Sequence, residues 1–484
     1  MEGWSSCDLV PDQIFGQESS CVICRCGFDG KEGEVARRTT GSLRSSDYTV
    51  QSRSLSFIRQ MSTPARSQSI PGGVSQSHYG GMTLLYVFLF AVAIQVIFLS
   101  LLPKSARVNE STDYVKYYSP VAQNFLNGRG LVLDSGEFGT LYPAGFPIFL
   151  AGTYYVADLL RMDRLRLVTS ANIILMSVGC VLVFLTAERL FTHQVAIFSA
   201  ALWSTYIFNL WLIKQPNSEV LFIPVFLGAV YCLIRSVQSK DAKWAAISGF
   251  LLGLAALVRP IALMLAPLLS LLLLMTLEIA LKQRLIAAIT ILATFAVTVL
   301  PWETDVYRHT GQIVPLSTIG ASSMLDGLTF TRRSGKDGVP VPVVQLMQRI
   351  AQHGRELNTP GKIFHYLAGE AKQNPKPVAE LFLLKLARSW FGTDSGSHER
   401  AILVVQLIYL AWCGAGLVLM ARRFRERRYY LALFVLIVFY FWGMAVIALS
   451  ILRYLVPAMA YLLIPAAAVP AIILERNSPR GATA

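Results

Sequence analysis

From Met82 onward the chain is a series of apolar runs, and each is close to the roughly 20 residues that an α-helix needs to cross a bilayer. The runs lie at 82–103, 143–160, 166–188, 193–213, 217–236, 245–276, 283–302, 400–421, 427–450 and 454–475. Composition agrees, because 54% of the 484 residues are hydrophobic and only 15% are charged. The sequence therefore predicts an all-α polytopic membrane protein with about ten transmembrane helices.

The formal net charge of +14 does not indicate a nucleic-acid partner, because the basic residues stand at the ends of the apolar runs. Arg53, Arg59 and Arg66 precede the first run, so the positive-inside rule places the N-terminus in the cytoplasm. By alternation, basic residues at 161–166, 282–284 and 422–428 are then expected inside the cytoplasm.

One loop contradicts this topology, since Arg235, Lys240 and Lys243 would lie outside. The neighbouring run 245–276 is long for one helix and carries Arg259-Pro260 in its middle, where proline removes a backbone hydrogen bond. The basic residues around this run therefore disagree with the orientation predicted for its helix.

The runs divide the chain into five parts. Residues 1–81, rich in Ser, Gly, Arg and Gln, are expected to be a disordered cytoplasmic leader. A second candidate start stands at Met61, so the alternative is that residues 1–60 are not native. Residues 82–302 form an N-terminal transmembrane module that includes a first external loop at 104–141. An extracytoplasmic segment at 303–399 carries two amphipathic patterns, "VVQLMQRIAQH" and "PVAELFLLKLARSW". C-terminal transmembrane helices at 400–475 and a tail at 476–484 complete the chain.

The first external loop contains "NESTDYVKYYSPVAQNFLNGRG", residues 109–130. Aromatic and apolar residues recur there at helical spacing, which predicts an amphipathic helix over 114–127 that lies on the membrane surface and ends at Asn127-Gly128. Asp113 stands at the start of this helix, where a carboxylate suits the backbone N–H groups and the helix dipole. Two interpretations stay open from these residues alone, a helix cap and a catalytic carboxylate.

Motifs in a fixed order give the chain a likeness to a known family. They are Asp113 followed by Tyr118 and Ala122, "YPAGFPIFL" at 142–150, "PNSEVLF" at 216–222, "GFLLGLAALVRP" at 249–260, "PWETDVYRHTGQIVPLSTIG" at 301–320, "LLKLARSWFG" at 383–392 and "RYLVPAMAYLLIPAAA" at 453–468. In this order they resemble the membrane-embedded C-type glycosyltransferases that use polyprenyl-phosphate sugars, the protein O-mannosyltransferase and aminoarabinose-transferase group of family 39. The resemblance implies the C-type glycosyltransferase fold.

The resemblance also implies a function. It is the inverting transfer of a single sugar, by a hexosyl- or pentosyltransferase, from a polyprenyl-phosphate donor to a lipid, glycan or protein acceptor. The family's acidic residue of the first external loop falls on Asp113, which would act as general base on the acceptor hydroxyl. The enzyme would be a multi-pass protein of the plasma or inner membrane with an extracytoplasmic active site and no nucleic-acid partner. The alternative is a multispan transporter or flippase of lipid-linked sugars, although the sequence shows no internal repeat of the kind that transporters use.

Seven further residues are candidates for substrate binding: Lys116, Tyr117, Tyr118, Glu219, Arg259, Arg308 and Arg453. Arg259 inside an apolar run indicates a polar cavity or a carboxylate partner, since insertion of arginine there is unfavourable by about 2.5 to 3.5 kcal/mol. Glu219 could equally be a first-turn acid, and Arg453 a residue that reaches lipid headgroups.

The chain departs from the family pattern at two positions. Where relatives often have arginine after Pro-Trp, this chain has Asp305, so that the phosphate contact is either lost or moved to Arg308. Tyr114 stands where many relatives have a second acid, which weakens the case for a metal held by paired carboxylates. No cofactor is predicted, with a divalent metal as the less favoured alternative. The sugar and the acceptor do not follow from the sequence.

Overall fold

The structure, a computed structural model, describes residues 81–103, 106, 111–276, 279–330 and 338–477. The predictions for the leader and its Met61 start lie outside these residues, apart from Gly81. Within them the chain is helical, with one isolated antiparallel bridge between Val132 and Phe138. The α-helices that position the site are, in chain order, α1 Gly81–Leu101, α2 Ser119–Leu126, α3 Gly145–Leu159, α4 Arg164–Leu190, α5 His193–Thr205, α6 Ile207–Leu212, α7 Ser218–Ser239, α8 Ala242–Val258, α9 Leu265–Met275, α10 Leu281–Thr310, α11 Ile319–Leu328, α12 Val341–Gln352, α13 Pro360–Gln373, α14 Pro375–Arg388, α15 Glu399–Arg423, α16 Arg428–Ile447, α17 Val456–Ala466 and α18 Ala468–Asn477.

Local sequence explains where several helices begin and end. Asp163, Thr192 and Thr359 precede α4, α5 and α13, and each side chain accepts a hydrogen bond from a first-turn N–H group. Gly311 ends α10 with φ +65°, a left-handed conformation that glycine adopts without strain.

Seven helical segments of the described part of the chain are long and apolar enough to cross a membrane: α1, α4, α7, α10, α15, α16 and the pair α17–α18. The broken pair α5–α6 and the shorter apolar helices α8 and α9 bring the crossing elements to about ten. The prediction of an all-α integral membrane protein is confirmed. The positions of the helices differ from the prediction at two runs, 143–160 and 245–276.

The run 143–160 does not cross the bundle. Its helix α3 has 15 residues, and both its beginning and its second half contact segments at the end of α8 and in the first external loop. The start of α3 lies against the end of α8, since a Cβ on Gly145 would stand 2.6 Å from the Leu257 carbonyl oxygen. Near its other end, the Tyr154 hydroxyl lies 2.8 Å from the Tyr114 hydroxyl. One face of the helix, with Phe146, Leu150 and Tyr154, is buried in protein, while Ile148, Tyr155 and Leu159 on another face are exposed.

The run 245–276 is not one helix but two. The break falls at Arg259-Pro260, where the proline has no N–H to continue α8. Helices α8 and α10 run parallel, because Gly249 packs on Thr294 and Gly253 on Thr298. Helix α9, which connects them in the chain, therefore runs in the opposite direction.

With α3 and α9 placed in this way, the basic residues divide between two ends of the bundle. We name them the Arg259 end, where α8 ends, and the Lys240 end, where α7 ends. Arg235, Lys240 and Lys243 lie at the Lys240 end, around the turn between α7 and α8. The basic residues at 422–428 lie at that end too, because the Phe424 ring stands 5.4 Å from Phe191, at the close of α4. Arg164 lies at the Arg259 end, 5.0 Å over the Tyr154 ring. The loop that contradicted the predicted topology therefore joins the other basic loops, and the basic residues at 161–166 are the ones at the opposite end.

Helices α11 to α14 follow the crossing helix α10 and form a small core of their own. Helix α10 continues to Thr310, so the segment predicted to begin at 303 starts inside it. The two predicted amphipathic helices are present as α12 and α14, and they bury Val343, Leu346, Ile350 and Leu381. This segment reaches the rest of the chain at Thr318, whose N–H donates to the Thr140 carbonyl oxygen at 3.0 Å.

Candidate functional site

A cavity of ≈ 170 Å³ lies at the Arg259 end of the bundle, and we call it the central cavity. It is lined by Ser111, Asp113, Tyr118, Tyr142, Asn217, Ser218, Glu219, Val258, Arg259, Pro260, Ile261, Ile319, Gly320, Ser323, Met444, Ala448, Arg453 and Tyr454. These residues come from the ends of α7, α8 and α16, from the first external loop and from α11. Residues 340 positions apart in the sequence, Asp113 and Arg453, thus face one space.

Asp113 is half-buried and does not cap its helix. It already has helical backbone angles, with φ −64° and ψ −36°, and its side chain makes no capping hydrogen bond. The Ser111 hydroxyl accepts the Tyr114 N–H instead, at 3.2 Å. Of the two interpretations that the sequence left open, the structure removes the cap and leaves the carboxylate directed to the cavity.

The helix after Asp113 begins with a π-helical turn at Tyr114–Tyr118 and continues as α2. A π-turn contains an extra residue, which changes the direction of the following side chains, and such turns are frequent at functional sites. The predicted end at Asn127-Gly128 is confirmed.

The aromatic face of this helix does not rest on the membrane as predicted. Tyr114, Tyr117 and Tyr118 are each buried against the chain itself. The Tyr117 hydroxyl donates to the Tyr142 carbonyl oxygen at 3.0 Å, and the Tyr118 ring packs at 4.9 Å on Phe146. The prediction was wrong because α3 supplies the apolar surface that a bilayer was expected to supply.

Two arginines and one glutamate form a buried ionic cluster in the central cavity. Arg259 NH1 lies 2.7 Å from Glu219 Oε2, and it also donates to Ser218 Oγ at 3.0 Å. Arg453 Nε lies 3.3 Å from the other carboxylate oxygen, Oε1, without the alignment of a hydrogen bond. The Tyr454 ring lies under both guanidinium groups, at 4.9 and 5.8 Å. Glu219 therefore fixes two cations that keep further N–H groups for an anion.

Tyr118 of the first external loop and Tyr142, which directly follows that loop, connect Asp113 to this cluster. Burial raises the pKa of the Tyr118 and Tyr142 hydroxyls, and the negative charge of Asp113 raises both further. Both hydroxyls stay protonated at neutral pH and act as hydrogen-bond donors or acceptors. The nearby cation Arg259 opposes the rise at Tyr118.

Two larger apolar grooves adjoin the central cavity. The α8–α10 groove, ≈ 920 Å³, is bounded by α3, α7, α8 and α10, shares Val258 with the central cavity, and has Asp305 and Arg308 in its wall. The α6–α15 groove, ≈ 590 Å³, is bounded by α6, α15 and residues 392–398, and shares Arg453 with the central cavity. The central cavity thus stands between two spaces of the size and character that hold apolar ligands.

The predicted residues separate into two sets. Asp113, Tyr118, Glu219, Arg259 and Arg453 line the central cavity together. Lys116 is exposed, Tyr117 is buried but does not line the cavity, and Arg308 lines the α8–α10 groove.

Residues that the sequence did not single out also line the central cavity. Tyr142, Ser218 and Tyr454 stand inside the motifs at 142–150, 216–222 and 453–468, so those motifs were the available signal. Among the described residues, no group of three or more His, Cys, Asp and Glu side chains is arranged to hold a metal ion.

Residues 147–302 match the model of the family described as dolichyl-phosphate-mannose-protein mannosyltransferase. This segment contains α7, α8 and the Glu219–Arg259 pair. No match to a curated protein was found.

The solved structures that the chain resembles include an archaeal oligosaccharyltransferase, AglB from Archaeoglobus fulgidus, in complex with an inhibitory peptide and a dolichol-phosphate. The identity is 13%, the TM-score is 0.52, and the match covers 84% of this chain and 53% of that one. The Archaeoglobus fulgidus enzyme tethered to an acceptor peptide matches with 12% identity and a TM-score of 0.54, over 81% and 50% of the two chains. ArnT from Cupriavidus metallidurans bound to undecaprenyl phosphate matches with 13% identity and a TM-score of 0.39, over 81% and 79%.

The matches with TM-scores above 0.5 show a shared fold, and the chain spans about half the length of those oligosaccharyltransferases. Together with the family match, they define the class as a membrane glycosyltransferase fold. The resemblance to C-type glycosyltransferases predicted from the motifs is confirmed.

Proposed function

We propose that this chain transfers a single sugar from a polyprenyl-phosphate donor to an acceptor, with inversion at the sugar carbon and with Asp113 as general base. The observation that carries the proposal is the central cavity, where Asp113 faces the Arg259–Glu219–Arg453 cluster. A carboxylate beside a fixed pair of cations suits a reaction that removes a proton from one group and releases phosphate from another.

The donor would bind with its polyprenyl chain in the α8–α10 groove and its phosphate at Arg259. The groove is apolar and open to the bilayer, since Val297 and Leu300 in its wall are 71% and 62% exposed. Val258 lines both the groove and the central cavity, and Arg259 follows it directly. The guanidinium fork suits the planar, multidentate binding of a phosphate. The dolichol-phosphate in the archaeal oligosaccharyltransferase complex supports a donor of this kind.

The reaction would exchange one bond at the sugar carbon for another. The acceptor hydroxyl oxygen attacks C1 from the face opposite the phosphate, and a new C1–O bond forms. The C1–O bond to phosphate breaks, and its electron pair leaves with the polyprenyl phosphate, whose charge Arg259 stabilises. The proton of the acceptor hydroxyl passes to the Asp113 carboxylate, a step worth about 10² to 10⁴ in rate.

The site would face the side of the membrane opposite the cytoplasm. Support comes from the Lys240 end of the bundle, where Arg235, Lys240, Lys243, Lys282 and the basic residues at 422–428 lie. Because short cytoplasmic loops carry the excess of Lys and Arg, that end belongs in the cytoplasm. The Arg259 end and its central cavity then lie outside.

Purified protein in liposomes tests the function. It is supplied with polyprenyl-phosphate hexoses or pentoses and with lipid, glycan or peptide acceptors, and the product is analysed for the anomeric configuration of the transferred sugar. We expect release of polyprenyl phosphate and an inverted product, and loss of both in Arg259→Met. A retained configuration would contradict the mechanism, and movement of donor across the liposome without any transfer would favour the transporter alternative.

A further inference from the structure

The α6–α15 groove has no role in the donor site described above. It runs between α6 and the first turns of α15, and it opens toward the bilayer, because Ile207, Trp211 and Val405 in its wall are each more than a third exposed. A hydrogen bond of 3.0 Å between the buried Tyr206 hydroxyl and Gln406 Oε1 joins the two helices beyond its apolar part. A space of ≈ 590 Å³ with these walls has room for hydrocarbon.

The polar part of this groove contains a buried cation without an anion. Lys214 is 4% exposed, and its ammonium lies 3.7 Å over the centre of the Trp211 ring. Among the described residues it has no carboxylate or carbonyl partner. The other two buried cations of comparable exposure differ, since Lys385 donates to the Ala448 carbonyl oxygen and Arg388 pairs with Glu399. A largely buried ammonium whose described contact is an aromatic ring and not an anion is unfavourable, so an anion is expected in the groove beside Lys214.

Arg453 gives the same polar region a second cation. Its NH1 lies 3.4 Å from Asp394 Oδ2, and Asp394 and His398 face the groove beside it. Because Arg453 lines both the groove and the central cavity, a ligand held there is adjacent to the space that Asp113 faces. The polar region thus combines cations for a phosphate with a carboxylate that can accept from a hydroxyl.

We infer that the α6–α15 groove binds the acceptor, and that the acceptor is a membrane lipid with a phosphodiester headgroup and a free headgroup hydroxyl. The acyl chains lie between α6 and α15, the phosphate lies at Lys214 and Arg453, and the hydroxyl extends past Arg453 toward Asp113. The role of this lipid as acceptor rests on the proposed function, whereas the binding of the lipid in the groove does not. A peptide or a soluble glycan would leave the apolar length of the groove empty.

Photocrosslinking of the full-length purified chain tests the site directly. The probe is phosphatidylglycerol with a diazirine in one acyl chain, and the adducts are located by mass spectrometry of peptides. We expect adducts on residues 207–212 and 401–405, and a fall of about tenfold or more in Lys214→Met, the loss expected for one hydrogen bond to a charged group. Lys282→Met, an exposed lysine at the Lys240 end, is the matched control and should label as the wild type does.

A second variant keeps the test independent of Lys214. Ala401→Trp fills the groove without removing a charge, and it should reduce the same adducts. Unlabelled phosphatidylglycerol should compete, whereas undecaprenyl phosphate and an uncharged diacylglycerol should not. The inference would be overturned if adducts were absent from both helices or unchanged in both variants. It would also be overturned if undecaprenyl phosphate competed equally, because the groove would then bind a donor-type lipid.

The outcome is separable from that of the proposed function. Labelling needs no donor, so it does not depend on transferase activity. If Lys214-dependent labelling is found but no sugar is transferred from any donor, the lipid site stands and the proposed transferase activity fails. If transfer occurs and the groove does not label, the activity stands and the acceptor inference fails.

Discussion

Arg259 NH1 lies 2.7 Å from Glu219 Oε2, and the two side chains are 13% and 3% exposed. The pair joins the break between α8 and α9 to the first turn of α7. Ion pairs this deeply buried contribute little net stability while intact, but the loss of one partner leaves a buried charge without compensation. The pair that positions the Arg259 guanidinium in the central cavity is therefore also expected to hold the start of α7 against the end of α8.

Glu219→Gln should lower the free energy of unfolding by about 3 to 5 kcal/mol, because two arginines then lose their carboxylate. Denaturation in mixed micelles measures this change. Glu370→Gln is the control, since the Arg349–Glu370 pair has the same 2.7 Å distance but Arg349 is 43% exposed. Its loss should be about 0 to 1 kcal/mol. Equal losses in the two variants would mean that the Glu219 cluster is not a buried network.

Arginine replacement separates the two candidate phosphate contacts. Arg259→Ala should weaken binding of undecaprenyl phosphate by about tenfold or more, because a charge-assisted contact is lost. Arg308→Ala should have a smaller effect, because Arg308 is exposed and stands in the wall of the α8–α10 groove, outside the central cavity. Isothermal titration of each variant measures the dissociation constants. The reverse order would move the phosphate to Arg308.

Lys385 should make stability depend on pH. Burial, with Arg388 nearby, lowers its pKa to about 7. Between pH 7 and the ordinary lysine range the unfolded chain binds more protons than the folded chain, so stability rises with pH over that interval. Lys385→Met should lack this rise in a series of thermal unfolding curves. Lys376→Met, which replaces an 83% exposed lysine of the same helix, should keep the wild-type slope. Loss of the slope in Lys376→Met would contradict its assignment to Lys385.

Gly249 should tolerate no side chain. A Cβ there would meet Thr294 Oγ1 and the backbone of Ile291, so Gly249→Ala must separate α8 from α10. Overpacking of this kind destabilises by about 1 to 3 kcal/mol. Gly443→Ala in α16 is the control, since nothing lies within 4 Å of its Cβ position, and alanine should be neutral or stabilising. Unfolding titrations of both variants make the comparison.

The sequence could predict the fold class and the charged residues of the central cavity, because membrane-length runs and short motifs are local signals. It could not separate apolar surface that packs on protein from apolar surface that faces lipid, and for this reason α3 was expected to cross the bundle. The aromatic face at Tyr114, Tyr117 and Tyr118 was misplaced for the same reason. Asp113 and Arg259 were found from motifs, whereas the isolation of Lys214 depends on contacts that only the fold creates.

As the proposed general base, Asp113 acts on the acceptor hydroxyl and not on the binding of the donor. The measurement is a comparison of undecaprenyl phosphate binding and sugar transfer in Asp113→Asn, with Asp158→Asn, an exposed carboxylate on α3, as the matched control. We expect unchanged binding and transfer lowered by about 10² to 10⁴ in Asp113→Asn, with both properties near wild type in Asp158→Asn. Transfer at the wild-type rate in Asp113→Asn would contradict this role.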